Sequence, residues 1–265
     1  MFTEPFLFDN KTNFLGFTHV GFGRYLSYAF LICFLLIAKS NKRNPLLVLS
    51  FSIITIGLFF SGLRAGLLSV ALIAVYVILR KIYQKKFSLL ILKQFSVAIL
   101  LCSLTSTFFP HHIESVVTRY SNLSKVSSFT FNSDSAIEAR LQSYSISFKM
   151  FGDALLFGQG FGGFNQLFDN NTLPLIIKYP HNLFLEAASE LGIIGIVIIL
   201  TLLIITFKKL KHTNEIIVLL FIHSLILSFF SGAIPDQKLL FVFFSIPCLT
   251  PQRINYFRNL TLGHF

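Results

Sequence analysis

Long apolar blocks separated by short basic connections constrain this chain more than any other feature. Several blocks approach the roughly 20 residues that a helix needs to cross a bilayer core. Lipid offers the backbone no hydrogen-bond partners, so such segments must be helical, and they lack the alternation of barrel strands. We therefore predict an all-α, polytopic membrane helix bundle of about seven spans. The spans are placed near residues 24–39, 45–60, 64–80, 88–109, 183–207, 214–232 and 237–250.

Composition excludes several other classes of protein. Of the 265 residues, 54% are hydrophobic and 12% are charged, whereas a soluble domain carries about 25% charged residues. A disordered chain, a disulfide-rich secreted module and an ordinary soluble enzyme are therefore excluded. Cys33, Cys102 and Cys248 lie inside apolar runs without metal-ligand spacing, so we expect them to be small buried hydrophobic residues.

The distribution of charge predicts the orientation of the bundle. The net charge is +11, and thirteen Lys or Arg residues fall on one predicted side of the membrane together with a single acidic residue. Excess Lys and Arg mark the cytoplasmic side, so we expect the C-terminus in the cytoplasm and the long middle segment outside. The basic charge is thus a topology signal, and no nucleic-acid partner is expected.

Three regions follow from this topology. Residues 1–109 form an N-terminal transmembrane region, residues 110–182 a large external, partly helical loop, and residues 183–265 a C-terminal transmembrane region with a cytoplasmic tail. The start of the chain is then outside, although residues 1–23 do not resemble a signal peptide. Either a short polar head is translocated, or further spans precede this sequence. We favour the second alternative.

The external loop contains an apolar stripe with helical spacing. It predicts a helix over residues 136–151 that lies on the outer membrane surface or against the bundle. The stripe consists of Ile137, Leu141, Tyr144, Phe148 and Phe151. The glycine-dense residues 158–163 follow, and without a preceding strand they indicate a tight turn between two helices rather than a dinucleotide-binding loop.

The end of the loop carries candidate catalytic chemistry. Pro180 disfavours helix before it, and Asn182 is a good N-cap, so His181 is expected at the outer end of a helix. The partial positive charge of that helix end disfavours imidazolium, and a neutral imidazole can act as a base. Glu186 and Glu190 follow on one helix face, where we expect both carboxylates to face the protein interior.

Several fragments, in this order along the chain, resemble the O-antigen ligase and polymerase superfamily. They are Ser61-Gly-Leu-Arg-Ala-Gly66, Ala139-Arg140, Phe157-Gly-Gln-Gly-Phe-Gly-Gly163, His181-Asn-Leu-Phe-Leu-Glu186 and Leu191-Gly-Ile-Ile-Gly195. The resemblance covers roughly residues 15–250. It departs from the family pattern at Leu63, where a small hydroxyl residue is common, at Tyr144, where Trp is frequent, and at Ala154-Leu155, which replaces an Asn/Asp-Pro-like turn. Family members have about a dozen spans, which implies that N-terminal spans are missing here.

The resemblance implies an integral membrane glycosyltransferase of lipopolysaccharide or polysaccharide biosynthesis. It would transfer a glycan from undecaprenyl diphosphate to a sugar hydroxyl of lipid A–core or of a growing polysaccharide, at the outer face of the bacterial inner membrane. By the same resemblance, His181 is the catalytic base and Arg64 and Arg140 bind the diphosphate. Glu186, Asn182 and Tyr144 support them. No metal, cofactor or nucleotide sugar is expected.

Alternatives remain open for the function and for each residue. The chain could transport the same lipid-linked glycan as a flippase, or it could be an inactive fragment of a longer ligase. Arg64 could extend to lipid headgroups, Arg140 could be a solvated charge, and His181 could be a capping or interface residue. Glu186 could orient His181 or pair with an arginine. These motifs do not separate a ligase from a polymerase, and they identify neither the sugar nor the oligomeric state.

Overall fold

A computed structural model describes residues 19–39, 44–85, 96–97, 100, 103, 135–164, 166, 179–210, 213–230 and 233–246. These residues form helices and turns without any strand, as the all-α prediction requires. The helices are α1 (His19–Lys39), α2 (Pro45–Phe60), α3 (Arg64–Tyr83), α4 (Ser135–Asp153), α5 (Leu183–Leu210), α6 (Glu215–Phe230) and α7 (Lys238–Ser245).

Six of these helices fall on predicted spans, and α4 falls on the predicted external helix. The predicted span over residues 88–109 lies outside the described residues, apart from four isolated positions. The predicted irregular segment over residues 110–134 and the predicted cytoplasmic tail also lie outside them.

Among the described residues, three helices are long and apolar enough to cross a membrane: Gly21–Lys39, Arg64–Tyr83 and Leu183–Leu210. The apolar helices α2 and α6 have 16 residues each, roughly 24 Å at a rise of about 1.5 Å per residue, against a bilayer core of about 30 Å. The described part of α7 has 8 residues. A membrane helix bundle is therefore supported, whereas the number of seven spans stays a prediction.

The chain divides into two compact units, Met1–Ser121 and Asn122–Phe265. In the first unit α1 packs against α2 and α3. Phe30 of α1 and Phe51 of α2, both buried, contact each other with ring centroids 4.8 Å apart. Small residues allow close approach at one end, where a Cβ added at Gly23 would lie 2.7 Å from the Ser61 Oγ.

In the second unit α5 is the central element, because it packs against α4, α6 and α7. Its apolar core joins residues of α5 to Phe221 of α6 and Phe244 of α7. Phe207 and Phe221 meet edge to face, with ring centroids 4.9 Å apart. This core anchors the helix at whose start His181 lies.

Candidate functional site

His181 has a left-handed backbone conformation immediately before α5. Its φ is +57°, which few non-glycine residues adopt, although His is among the residue types enriched there. Its ring contacts the Tyr179 ring with centroids 4.5 Å apart. An uncommon backbone conformation and an aromatic neighbour therefore hold the imidazole at the N-terminal end of α5, where the sequence predicted it.

Asn182 caps α5, as predicted. Its Oδ1 accepts hydrogen bonds from the backbone N–H groups of Phe184 at 2.9 Å and Leu185 at 3.1 Å. In addition, its Nδ2 donates to the backbone oxygen of Phe229 at 3.3 Å. Asn182 thus satisfies two backbone N–H groups in the first turn of α5 and connects this turn to the end of α6 by a hydrogen bond.

Glu186 and Glu190 are 5% and 6% exposed, which confirms that both carboxylates face the protein interior. The Oε2 of Glu186 accepts a hydrogen bond from the backbone N–H of Ile234 at 2.9 Å. Ile234 begins a short 3-10 turn, Ile234–Asp236, that precedes α7. Glu186 therefore holds the connection between α6 and α7 against the first turns of α5.

Helix α5 is broken at Gly192. This residue has φ +67° and ψ −154°, a conformation that is essentially restricted to glycine. The break divides α5 into a short first part, residues 183–191, and a longer second part, residues 193–210. The apolar run over residues 183–207 predicts a continuous span, and the break at Gly192 differs from that prediction.

The glycine-dense loop fills the break in α5 with backbone hydrogen bonds. Gln159 N–H donates to the Ser189 oxygen and Gly160 N–H donates to the Glu190 oxygen, each at 2.9 Å. In return, Ile193 N–H donates to the Leu155 oxygen at 2.8 Å. The two interrupted helix ends thus find the partners that they would otherwise lack.

Glycine is required on both sides of this contact. A Cβ at Gly158 would lie 2.3 Å from the Glu190 carbonyl carbon, and a Cβ at Gly192 would lie 2.5 Å from the Leu156 oxygen. Residues 158–163 do turn after α4. The turn also docks on α5. The glycine motif alone does not predict this contact, because the contacting part of α5 lies some thirty residues further along the chain.

The buried face of α4 is not its apolar stripe. Ser143, Ser147 and Met150 are buried, whereas Leu141 is 47% exposed and Phe148 is 63% exposed. Small serines let α4 approach its neighbour closely, whereas Leu141 and Phe148 of the stripe face outward. Of the two placements expected for this helix, packing against the bundle is observed, because α4 packs against α5. Contact of its outward residues with the membrane surface stays a prediction.

Arg140 and Tyr144 lie one helical turn apart on α4, and both are partly exposed. At 3.6 residues per turn they fall between the buried serine face and the exposed apolar face. Both side chains are therefore partly accessible, and their roles in substrate binding stay predictions.

Arg64 is the first residue of α3 and is partly exposed. The preceding residue, Leu63, makes no side-chain capping hydrogen bond and is itself buried. Arg64 belongs to the first unit, whereas Arg140 and His181 belong to the second. Joint action of the three on one substrate therefore remains a prediction.

One further charged residue is buried in the structure, and no sequence motif marks it. Arg24 of α1 is only 8% exposed. It is the first residue of the span predicted over residues 24–39. The sequence feature that could identify Arg24 is a single cation followed by fourteen residues without charge.

Within the described ranges, no group of three or more His, Cys, Asp or Glu residues could hold a metal ion.

A protein-family model described as O-antigen ligase matches residues 49–200, more than half of the chain. The matched region runs from α2 into the second part of α5. It includes Arg64, Arg140 and His181, and also the glycine-dense loop and the break that the loop fills. Among curated proteins, no match is found.

Proposed function

The chain belongs to the O-antigen ligase family, and on that premise we propose that it joins a glycan carried on undecaprenyl diphosphate to a sugar hydroxyl. Family and apolar helices together make it a membrane protein of O-antigen ligase or polymerase type, in polysaccharide biosynthesis. Beyond this family assignment, we propose the donor, a glycan on undecaprenyl diphosphate, and the acceptor, a sugar hydroxyl on lipid A–core or on a growing polysaccharide. We also propose that the reaction takes place at the outer face of the inner membrane.

One observation carries the proposal: His181 lies in the family-matched region with a left-handed backbone at the start of a capped helix. Uncommon backbone conformations cost free energy and persist where the surroundings enforce them, often at functional sites. Asn182 supplies that enforcement by capping α5 and bonding to α6.

The proposed step is one displacement at the anomeric carbon of the donor glycan. The acceptor oxygen forms a bond to that carbon while the bond from the carbon to the diphosphate oxygen breaks. The electron pair of the broken bond leaves with undecaprenyl diphosphate. His181 accepts the proton of the attacking hydroxyl, as a general base does.

Arg64 and Arg140 are assigned to the diphosphate, whose negative charge grows as it leaves. A guanidinium binds phosphate through two parallel hydrogen bonds and stays charged at all relevant pH values. In the same proposal Asn182 and Glu186 hold the first turns of α5 in place, and Tyr144 lies beside Arg140 for contact with sugar or lipid.

Complementation of a deletion strain tests the function in cells. Wild-type protein is expected to restore the surface glycan, whereas His181→Ala and Arg64→Lys are expected to restore little or none. His181→Ala removes the proposed base, and Arg64→Lys removes the two parallel hydrogen bonds that a guanidinium makes to phosphate. Lys209→Gln, an exposed change at the end of α5, is the control that should complement fully.

Membrane levels of every variant are measured alongside the glycan profile. A normal profile with His181→Ala would remove His181 from the chemistry. Labelled donor that crosses the membrane without forming a new glycosidic bond would favour a flippase instead.

A further inference from the structure

The turn that follows α4 exposes four large apolar side chains. Phe157 and Phe161 are each 73% exposed, and Leu155 and Leu156 are 50% and 62% exposed. We call these four side chains the apolar loop surface. Residues 154–164 contain no charged side chain, and Gln159 is their one polar residue. A concentration of exposed apolar groups of this kind marks contact with a partner or a membrane.

The apolar loop surface is continuous with the exposed side of the second part of α5. The Leu155 oxygen accepts a hydrogen bond from Ile193 N–H at 2.8 Å, and the Leu156 oxygen accepts one from Ile194 N–H at 3.5 Å. The loop therefore lies against the first residues after the break. Because α5 is long and apolar enough to cross a membrane, its exposed apolar side chains are expected to face lipid. Those nearest the loop are Ile193, Ile194, Val197 and Ile198.

The second part of α5 is too short to cover a bilayer core alone. Its exposed apolar side chains run from Ile193 to Phe207, roughly 22 Å at about 1.5 Å per residue, against a core of about 30 Å. Lys208 and Lys209 end this run on one side. At the other end the first part, residues 183–191, has no exposed side chain. The apolar loop surface lies at that end and extends the face that lipid can cover.

The loop backbone also suits contact with hydrocarbon. Lipid offers peptide groups no hydrogen-bond partners, so irregular backbone is tolerated at membrane depth only where the protein satisfies it. The N–H groups of Gln159 and Gly160 donate to α5, and Gly158 N–H donates to the Ala154 oxygen at 2.8 Å. These peptide groups are thus satisfied by protein while the neighbouring apolar side chains point away from it.

We propose that the apolar loop surface inserts into the acyl chains of the bilayer, at the end of α5's second part opposite Lys208 and Lys209. An interfacial segment of this kind is buried by about 5–10 Å. At that depth Gln159 reaches the headgroups, and the exposed carboxylate of Asp153, the last residue of α4, stays in water. This membrane contact does not depend on the glycan-transfer reaction.

Fluorescence quenching on the purified full chain in phosphatidylcholine nanodiscs tests the insertion. The three native cysteines are replaced by Ser, and one new cysteine carrying an environment-sensitive dye is placed at Phe157 or at Phe161. Val197→Cys, on the exposed face of α5, is the lipid control, and Lys149→Cys, exposed on α4, is the water control. The quenchers are iodide in water and phosphatidylcholine with a nitroxide near either the carbonyl or the methyl end of an acyl chain.

Dyes at Phe157→Cys and Phe161→Cys should lose most of their fluorescence to the nitroxide near the carbonyl end and little to iodide. Val197 lies about ten residues, roughly 15 Å, before Phe207, so its dye should be quenched most by the nitroxide near the methyl end. The dye at Lys149→Cys should respond to iodide alone.

Three results would overturn the proposal. Stronger quenching by iodide than by lipid nitroxide at Phe157→Cys and Phe161→Cys would place the loop in water. Protection from all quenchers would show that a protein surface, such as a second copy of the chain, covers it. A lowered unfolding temperature of both variants would show that the two rings pack inside the protein, since replacing lipid-facing side chains should leave that temperature unchanged.

Discussion

Asn182 stabilises two elements at once, because it caps α5 and hydrogen-bonds to the end of α6. Its place after Pro180 and before an apolar run predicted an N-cap, because capping depends only on the next three residues. The structure confirms the cap and adds the hydrogen bond to the Phe229 oxygen, 47 residues away. No local pattern could predict that second bond, since it depends on how α5 and α6 pack. The left-handed backbone of His181 was unpredicted for the same reason.

Asn44 provides a matched control for these two roles, because it caps α2 in the same way, with bonds of 3.1 and 3.3 Å. Asn44→Ala should lower the free energy of unfolding by about 1 kcal/mol, through loss of a cap alone. Asn182→Ala should lower it by about 2 kcal/mol, since it also leaves a backbone carbonyl without its partner. Denaturant unfolding in detergent measures both, and equal effects would mean that the bond to Phe229 contributes nothing.

At the scale of elements, the glycine-dense loop and α5 depend on each other. Sequence patterns located the ends of α4 and α5 within a few residues, because apolar periodicity is a local signal. They missed the break at Gly192, since Leu191-Gly-Ile-Ile-Gly195 is compatible with a continuous apolar helix. They also missed the serine face of α4, because hydrophobicity does not reveal where close backbone approach replaces apolar packing.

The contact between the glycine-dense loop and α5 predicts that alanine at two glycines changes the free energy of unfolding differently. Gly192→Ala should lower the free energy of unfolding by about 3 kcal/mol or more, because it combines backbone strain with a collision against the Leu156 oxygen. Gly152→Ala is the control: a Cβ there meets nothing within 4 Å, and alanine favours helix by up to about 1 kcal/mol.

Thermal unfolding of both variants in detergent measures this difference. Gly192→Ala should also reduce glycan transfer, because the glycine-dense loop would no longer dock on α5, the helix that follows His181. Two variants of equal stability would show that the loop does not dock as described.

For the whole molecule, the helical class and the membrane character followed from the apolar blocks, and six predicted spans coincide with helices. The number of spans did not follow, because block length alone does not say which helix crosses completely; α2 and α6 are shorter than a bilayer core. The orientation depends on charge asymmetry, and it remains a prediction that labelling can test.

Cysteine labelling tests the orientation directly. In a chain with Cys33, Cys102 and Cys248 replaced by Ser, new cysteines are placed at Lys149 of α4 and at Lys209 of α5, both exposed. A membrane-impermeant maleimide should label Lys149→Cys in intact spheroplasts, and Lys209→Cys only after permeabilisation. The reverse pattern would place α4 in the cytoplasm and contradict an outer-face reaction.

We propose that this chain forms a glycosidic bond with His181 as the base. The most direct measurement mixes purified protein in vesicles with labelled glycan on undecaprenyl diphosphate and an acceptor glycan, and follows product and released undecaprenyl diphosphate together. His181→Gly is the decisive variant, because glycine tolerates the left-handed backbone at this position and only the imidazole is lost. We expect wild type to form product and release undecaprenyl diphosphate in equal amounts, and His181→Gly to bind the donor as wild type does without transferring the glycan. Equal transfer by His181→Gly, or no product with folded, donor-binding wild type, would contradict it.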